Sequence, residues 1–330
     1  MGSVMDRLDL GILREMSRDQ VVWFGSLDPR LSAAEIARRL HTDRSTVSSR
    51  LHAWERSGFL VGHEVVPSPL LFGAGIGGGN LRVDSLSEKR RILEDLGLVP
   101  GVISAVDHLG PWVALLFAFE SREGLERSRK LLARVSGVGE VSPCVPFQAP
   151  EPEVAPTGLD WRVIRALAAA PKKPLRDVAP SVPVSAKTLA RRLERLVRAR
   201  AFWYLPLLDF SRYRRSTVTR FVVTLQPGRE TARAAEAAAK VVPGLSHLTD
   251  SSTISDPGEP VPPMLDIIAH LDSVGQADDI QVALGAIDSV MDVEVLFPRR
   301  FYLYRNWFGE RTEAKIARSE KLGRRYASDR

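Results

Sequence analysis

The chain has one cysteine, Cys144, in 330 residues, so it can form no intramolecular disulfide. Its six histidines, His41, His52, His63, His108, His247 and His270, are scattered without metal-ligand spacing, which argues against a structural zinc or iron–sulfur site. No uninterrupted apolar run reaches the roughly 18 residues of a membrane helix. Met1 to Leu10 is already charged and lacks the apolar stretch of a signal peptide. The expectation is a cytoplasmic chain with no membrane partner, no metal and no cofactor. Gly73-Ala74-Gly75-Ile76-Gly77-Gly78 has the spacing of a dinucleotide-binding loop without its context. The residues after it, Asn80-Leu81-Arg82-Val83, are strand-like, whereas a pyrophosphate needs the first turn of a helix. The glycines read as a flexible connection, and Cys144 as a buried residue of a strand.

The residues that are present point to a globular chain. With 44% apolar and 26% charged residues, it is long enough for two or more cores. A net charge of +6 and a pI near 9.7 favour a polyanionic partner, and the placement of that charge decides which.

The sequence is written twice. Leu8-Asp9-Leu10-Gly11-Ile12-Leu13-Arg14 returns as Leu159-Asp160-Trp161-Arg162-Val163-Ile164-Arg165, and Arg50-Leu51 returns as Arg192-Leu193. Val99-Pro100-Gly101 returns as Val242-Pro243-Gly244, and Asp107 as Asp250. The offset changes twice, implying a loop insertion near residues 20–30 of the first copy and a Pro-rich one near 255–263 of the second. Three prolines between 148 and 156 make a semi-rigid linker.

Each copy has two parts. In the first, Leu8, Ile12, Leu13 and Met16 share a helix face, and Ser32-Ala33-Ala34-Glu35 is a capping-box start for a helix carrying Ile36, Ala37 and Leu40. After a turn at His41-Thr42, Asp43 is placed to cap a third helix with Val47, Leu51 and Trp54 inward, ending at Gly58. This is a helix-turn-helix, and Phe59 to Val66 suggests a short hairpin as its wing. The second part reads βαββαβ, a four-stranded antiparallel sheet with both helices on one face. Val113, Leu115, Phe117 and Phe119 are expected on the bare face, to be covered by the other copy's sheet in an internal pseudo-dimer. The fold class is therefore α+β. The expected divisions are a winged helix-turn-helix over 1–66, a βαββαβ unit over 74–147 and the linker 148–156. A basic, degenerate helix-turn-helix over 157–212, a second βαββαβ unit over 215–304 and a basic tail over 305–330 complete the chain.

Residues at the start and along the exposed face of a third helix meet DNA bases in the major groove. In copy one these are Arg44, Ser45, Thr46, Ser48, Ser49 and His52. Copy two offers a stripe of Lys187, Arg191, Arg195 and Arg198, suited to phosphates more than to bases, although Pro180 and Pro183 shorten its middle helix and Arg200 stands where Gly58 stood. The tail, helical over 312–322 and basic at Lys321, Arg324 and Arg325, is expected to be partly ordered and solvated. Trp307 and Phe308 before it are expected to dock on the protein.

A helix-turn-helix with a βαββαβ unit after it resembles the Lrp/AsnC (feast/famine) transcriptional regulators, whose ligand-sensing unit is called RAM. Leu8-Asp9 with Ile12-Leu13-Arg14, then Glu35-Ile36-Ala37, Ser45-Thr46-Val47, Arg50-Leu51 and Glu55 to Gly62 match that family's pattern. The resemblance implies a DNA-binding regulator of transcription, associated with the nucleoid, that self-associates and carries no enzymatic activity. It also implies an amino-acid or other small-molecule effector near the turn between the second and third strands of each unit. Only Gly110 survives there, in Gly110-Pro111-Trp112-Val113, so the effector residues are expected at Asp107, His108, Gly110, Trp112 and Asp250. Siroheme decarboxylases resemble paired Lrp/AsnC-type domains turned to catalysis, and His108 stands near the place of their histidine, without the accompanying Tyr and Arg. An enzyme of that kind, or a sensing scaffold without DNA binding, is the alternative.

Overall fold

The computed structural model describes residues 6–17, 32–135, 137–142, 145–147, 151–169, 171, 173, 175–212, 217–227, 231–243, 245–250 and 263–328. Cys144 and the two expected insertions, apart from Pro263, lie outside them.

Copy one begins with α1 (Arg7–Ser17), α2 (Ala33–Arg39) and α3 (Arg44–Ser57), then β1 (Leu60–Pro67). Its βαββαβ unit comprises β2 (Gly75–Val83), α4 (Lys89–Asp95), β3 (Val102–His108), β4 (Trp112–Phe119), α5 (Arg122–Leu132) and β5 (Val138–Val141), continued by β6 (Val145–Phe147). Copy two gives α6 (Gly158–Ala169), α7 (Leu175–Val178), α8 (Ala186–Arg198) and β7 (Phe202–Leu208). Its own unit is β8 (Thr217–Leu225), α9 (Thr231–Val241), β9 (Leu245–Asp250), β10 (Met264–Leu271), α10 (Val274–Gly285) and β11 (Val290–Leu296). Finally come β12 (Pro298–Leu303) and α11 (Asn306–Ser328).

Local chemistry sets most boundaries. Ser32 caps α2 by accepting from the Glu35 amide at 3.2 Å, and Gly58 ends α3 in the left-handed region at φ +75°. Asp43 occupies the cap position of α3 in extended conformation, but its side chain makes no capping bond. Arg200 adopts φ +56° where copy one has its glycine. A side chain in that region costs about 1–2 kcal/mol, so Arg200→Gly is expected to raise stability by roughly 1 kcal/mol, net of the glycine's own backbone entropy, read from the urea midpoint. Gly75, Gly77 and Gly78 are corrected from a connection to part of β2; at Gly75 a Cβ would stand 2.8 Å from the Phe119 ring, so any larger residue there requires that ring to shift.

The two copies are interlocked. The expected hairpin after α3 is a single strand, β1, and it pairs antiparallel with β7 of the other copy from Leu60↔Leu208 to Pro67↔Phe202. At about 3.4 Å per residue this ribbon spans roughly 24 Å, so α3 and α8 feed it from opposite ends. Copy two's sheet has the order β11-β8-β10-β9; copy one's is β12-β3-β4-β2-β5, with β6 also on β2. β12 thus leaves its own copy and covers the β3 edge of the other, removing an exposed edge.

The faces of the first sheet are opposite to expectation. Val113, Leu115 and Phe117 point at α4 and α5, packing with Ile92, Leu93, Leu125 and Leu132, and Phe119 packs against the same core. The other face carries Ile76, Leu116 and Ala118, which meet Val66, Trp203, Trp307 and Phe308. The solvated tail is likewise corrected: α11 packs on α6, burying Ile316, with Arg165–Glu313 at 3.1 Å and Arg311–Glu120 at 2.6 Å as ion pairs, while Trp307 and Phe308 are buried as expected. Lys321 is exposed, and the side chains of Arg324 and Arg325 lie outside the described residues. Among the described residues no helix is long and apolar enough to cross a membrane.

Candidate nucleic-acid interface

The first helix-turn-helix is built around Trp54, which is wholly buried with Ile12, Leu13, Ile36 and Val47 and meets Phe59 edge-on at 5.1 Å. Its indole Nε1 donates to buried Asp9 Oδ1 at 3.2 Å, and Arg50 Nη1 donates to the other oxygen of Asp9 at 2.9 Å. Arg50 Nη2 also donates to Asp6 at 2.7 Å. The inner face of α3 is thereby bolted to α1. Its outer face presents Arg44, Ser45, Ser49 and His52 to solvent, with Thr46 and Ser48 half-buried beside them. Arg44 makes no ion pair among the described residues, whereas Arg38 and Arg39 of α2 are occupied by Glu35. The side-chain hydrogen bonds from these two arginines hold Glu35 down at about 2.

The same bolt recurs in copy two. Asp160 is buried and accepts from Arg192 at 2.8 Å and Arg195 at 2.5 Å, as well as from the Thr157 amide and hydroxyl. Arg198 pairs with Glu194 at 2.5 Å. Of the expected basic stripe, Lys187 and Arg191 are therefore exposed and unengaged among the described residues, while Arg195 and Arg198 are partly spent on the protein. An open cleft of about 630 Å³ lies along this helix, lined by Arg191, Arg195, Arg198 and Glu153.

The two bolts titrate differently. Burial pushes Asp9 up and outweighs the Asp6 amide, Arg50 and Trp54. Burial also pushes Asp160 up, but the Thr157 bonds, Arg192 and the charge of Arg195 prevail and hold it below the usual carboxylate range. A lowered folded pKa gives stability that is complete above about pH 4, the unfolded value, and is lost as pH falls through the folded one. The penalty of Asp160→Asn, measured by urea denaturation, is thus expected to shrink between pH 6 and pH 3. Asp9 has the opposite sign: protonation below its raised pKa favours the fold, so its contribution improves on acidification.

Of the expected effector residues, Asp107, His108, Gly110 and Trp112 meet around Lys89, Asp107 and Gly110 line one cleft, and Asp250 stands apart. Asp107 points at the helices, where Lys89 Nζ pairs with it at 2.6 Å. Lys89 also donates to the carbonyls of His108, Gly110 and Trp112 at 2.6, 2.7 and 2.9 Å, pinning the β3–β4 turn, in which Gly110 has φ +80°. Burial pushes this lysine below its ordinary value, opposed by Asp107. His108 lies wholly buried on the opposite face, both ring nitrogens lacking a hydrogen bond of ordinary geometry. Burial, then the charges of Arg220 and Lys89, keep it neutral, well below its usual pKa. Asp250 belongs to the other sheet, at the end of β9, and its side chain lies outside the described residues.

Three residues that sequence reasoning missed hold the sheets together. Arg220 is buried and donates to Asp266 through Nε at 3.0 and 3.1 Å and Nη2 at 2.7 Å. Its Nη1 reaches across to Asn80 Oδ1 of the first copy at 3.0 Å.

These observations meet a direct finding. Residues 5–53 match the model of the AsnC-type helix-turn-helix domain. The chain carries an AsnC-type helix-turn-helix domain. No curated protein matches it. Among solved structures, the siroheme decarboxylase NirDL aligns at 13% identity over 94% of this chain and 99% of that one, with a TM-score of 0.52. The same decarboxylase in co-complex with an iron-uroporphyrin III analogue aligns at 13% identity over 92% and 98%, with 0.51. E. coli AsnC aligns at 18% over 47% of this chain and 100% of that one, with 0.31. The expectation that the chain is not an enzyme is corrected by the first of these: the fold spanning nearly all of it is one on which an enzyme is built. At this identity the likeness concerns the fold alone.

Proposed function

We propose that the chain is a sequence-specific DNA-binding regulator in which α3 reads base edges and α8 adds phosphate affinity. The observation that carries this reading is the outer face of α3, with Arg44 in no ion pair among the described residues, Ser45, Ser49 and His52 exposed, and the helix fixed from behind by Asp9, Arg50 and Trp54. Arginine pairs bidentately with guanine, and hydroxyls serve bases or phosphates. Lys187 and Arg191 are the corresponding cations of α8. The shared β1–β7 ribbon and the packed sheets serve assembly, so that one chain does the work of a dimer, and two chains would present four helix-turn-helix units. The test is selection of random duplexes by the full chain, with anisotropy on the winners across salt concentrations. Enriched sequences are expected, and Arg191→Ala should lower the salt slope by about one unit. Absence of any enriched sequence refutes base reading.

The NirDL likeness across both copies favours a second reading, an enzyme acting on a carboxylated tetrapyrrole. His108 and Arg220 are the histidine and cation between the sheets that such a substrate would use. Both are buried, and Arg220 is held by Asp266 and Asn80, so a tetrapyrrole would have to part packed side chains. Visible absorption after mixing the purified chain with siroheme, with loss of carboxyl groups read by mass spectrometry, decides for or against it.

A further inference from the structure

We infer that a cleft at the β3 edge of the first sheet binds a small, doubly charged organic anion through Arg299 and Arg300. The cleft, about 480 Å³, is assembled from three remote segments: α4 with the β3–β4 turn, residues 209–211 after β7, and β12. It exists only because β12 crosses from one copy to the other, and none of its residues lies on a helix of either helix-turn-helix, so it goes beyond the DNA reading.

Consecutive residues of a regular strand point to opposite faces. Here the register of β12 against β3 slips between Pro298 and Arg300, and such a bulge re-aims a side chain. Both arginines consequently line one cleft. Arg300 pairs with no carboxylate among the described residues, and Arg299 shares its one carboxylate with a closer lysine. The nearest carboxylate to Arg299 is Asp107 at 3.8 Å, already engaged by Lys89 at 2.6 Å. Arg300 is exposed, stands 5.3 Å over the Tyr302 ring and has no carboxylate in ion-pairing distance among the described residues. Asp209, the other acid of the cleft, accepts from the amide and hydroxyl of Ser211 instead.

Two guanidinium forks side by side match the oxygens of carboxylate or phosphate groups better than they match any single charge. The rest of the wall mixes polar groups, Lys89, Arg90, Asp107, Asp209 and Ser211, with apolar ones. Leu86 and Leu109, each 63% exposed, leave large aliphatic side chains in water at the cleft, and Tyr302 adds a ring. A ligand with a short apolar body and an anionic head covers those leucines while its head meets the arginines, and the volume suits a small molecule.

The test is calorimetric titration of the full chain with glutarate and with phenyl phosphate, using uncharged glutaramide as control. Saturable one-to-one binding of at least one anion is expected, the preferred one identifying the head group, and glutaramide should not bind. Arg299→Gln with Arg300→Gln should weaken binding at least about tenfold, as loss of charge-assisted bonds does, while Arg198→Gln, on a distant helix, should leave it unchanged. Arg300→Lys, which keeps charge but loses the fork, should fall between and guards against misfolding of the double variant. No saturable binding of either anion, equal binding by the double variant, or binding of glutaramide overturns the proposal. Binding to a selected duplex, measured on the same samples, is expected to persist in the double variant, so this site and the DNA reading fail separately.

Discussion

Asp266→Ala is expected to destabilise the protein by about 3–5 kcal/mol, the cost of leaving one partner of a buried ion pair behind. Arg220 and Asp266 are diagonal neighbours on adjacent strands, since Arg220 stands opposite Ile268. Both side chains are about nine-tenths buried, at 8% and 12% exposure, so water offers the stranded guanidinium little relief. Asn80 keeps one of its bonds but supplies no charge. The ion pair itself is a weak source of stability, because desolvation offsets its attraction. A double replacement, Arg220→Met with Asp266→Leu, should therefore recover most of the loss. Guanidinium denaturation of the two variants checks both statements; an Asp266→Ala midpoint equal to wild type would show that the charge reaches solvent.

Lys89→Met is expected to cost about 3–5 kcal/mol as well, by the same rule. Its ammonium satisfies the Asp107 carboxylate and three backbone carbonyls of one turn, and methionine, of similar length, supplies none of those donors. Asp107 would be left as a buried carboxylate with Arg299 at 3.8 Å as its remaining cation. Loss of hydrogen-exchange protection should concentrate in the β3–β4 turn, with the helix-turn-helix units unaffected. Global loss without this local signature would mean that Lys89 acts through packing alone.

The repeat was legible because its landmarks are the bolts. Asp9 with Arg50 and Asp160 with Arg192 survive in both copies, since a buried carboxylate on the first helix needs its arginine on the third. The order of elements was legible from periodicity, and the helix-turn-helix from its caps and turn. Pairing between copies was not: β1 and a hairpin have the same local pattern, and only the partner strand β7 distinguishes them. The sheet faces were misjudged because Val113, Leu115 and Phe117 are as apolar as a buried interface, while the face that meets the other copy is small, with Ala114 and Ala118. The signal was present in copy two, where Arg220 and Asp266 share the face of Val222 and Ile268, opposite to Phe221, Val223 and Ile267. Lys89 was also legible, standing one turn before Ile92 and Leu93 on the apolar face of α4. Arg299 and Arg300 were not, because a bulge leaves no mark in the residue types.

The most direct test of base reading by α3 is competition between a selected duplex and a scrambled one of equal length for the wild type, Arg44→Ala and Arg191→Ala. Arg44→Ala should bring the ratio of the two affinities close to one, and Arg191→Ala should weaken binding to both duplexes alike, leaving the ratio intact. A ratio that survives Arg44→Ala and collapses with Arg191→Ala would contradict the assignment of base reading to the first helix-turn-helix.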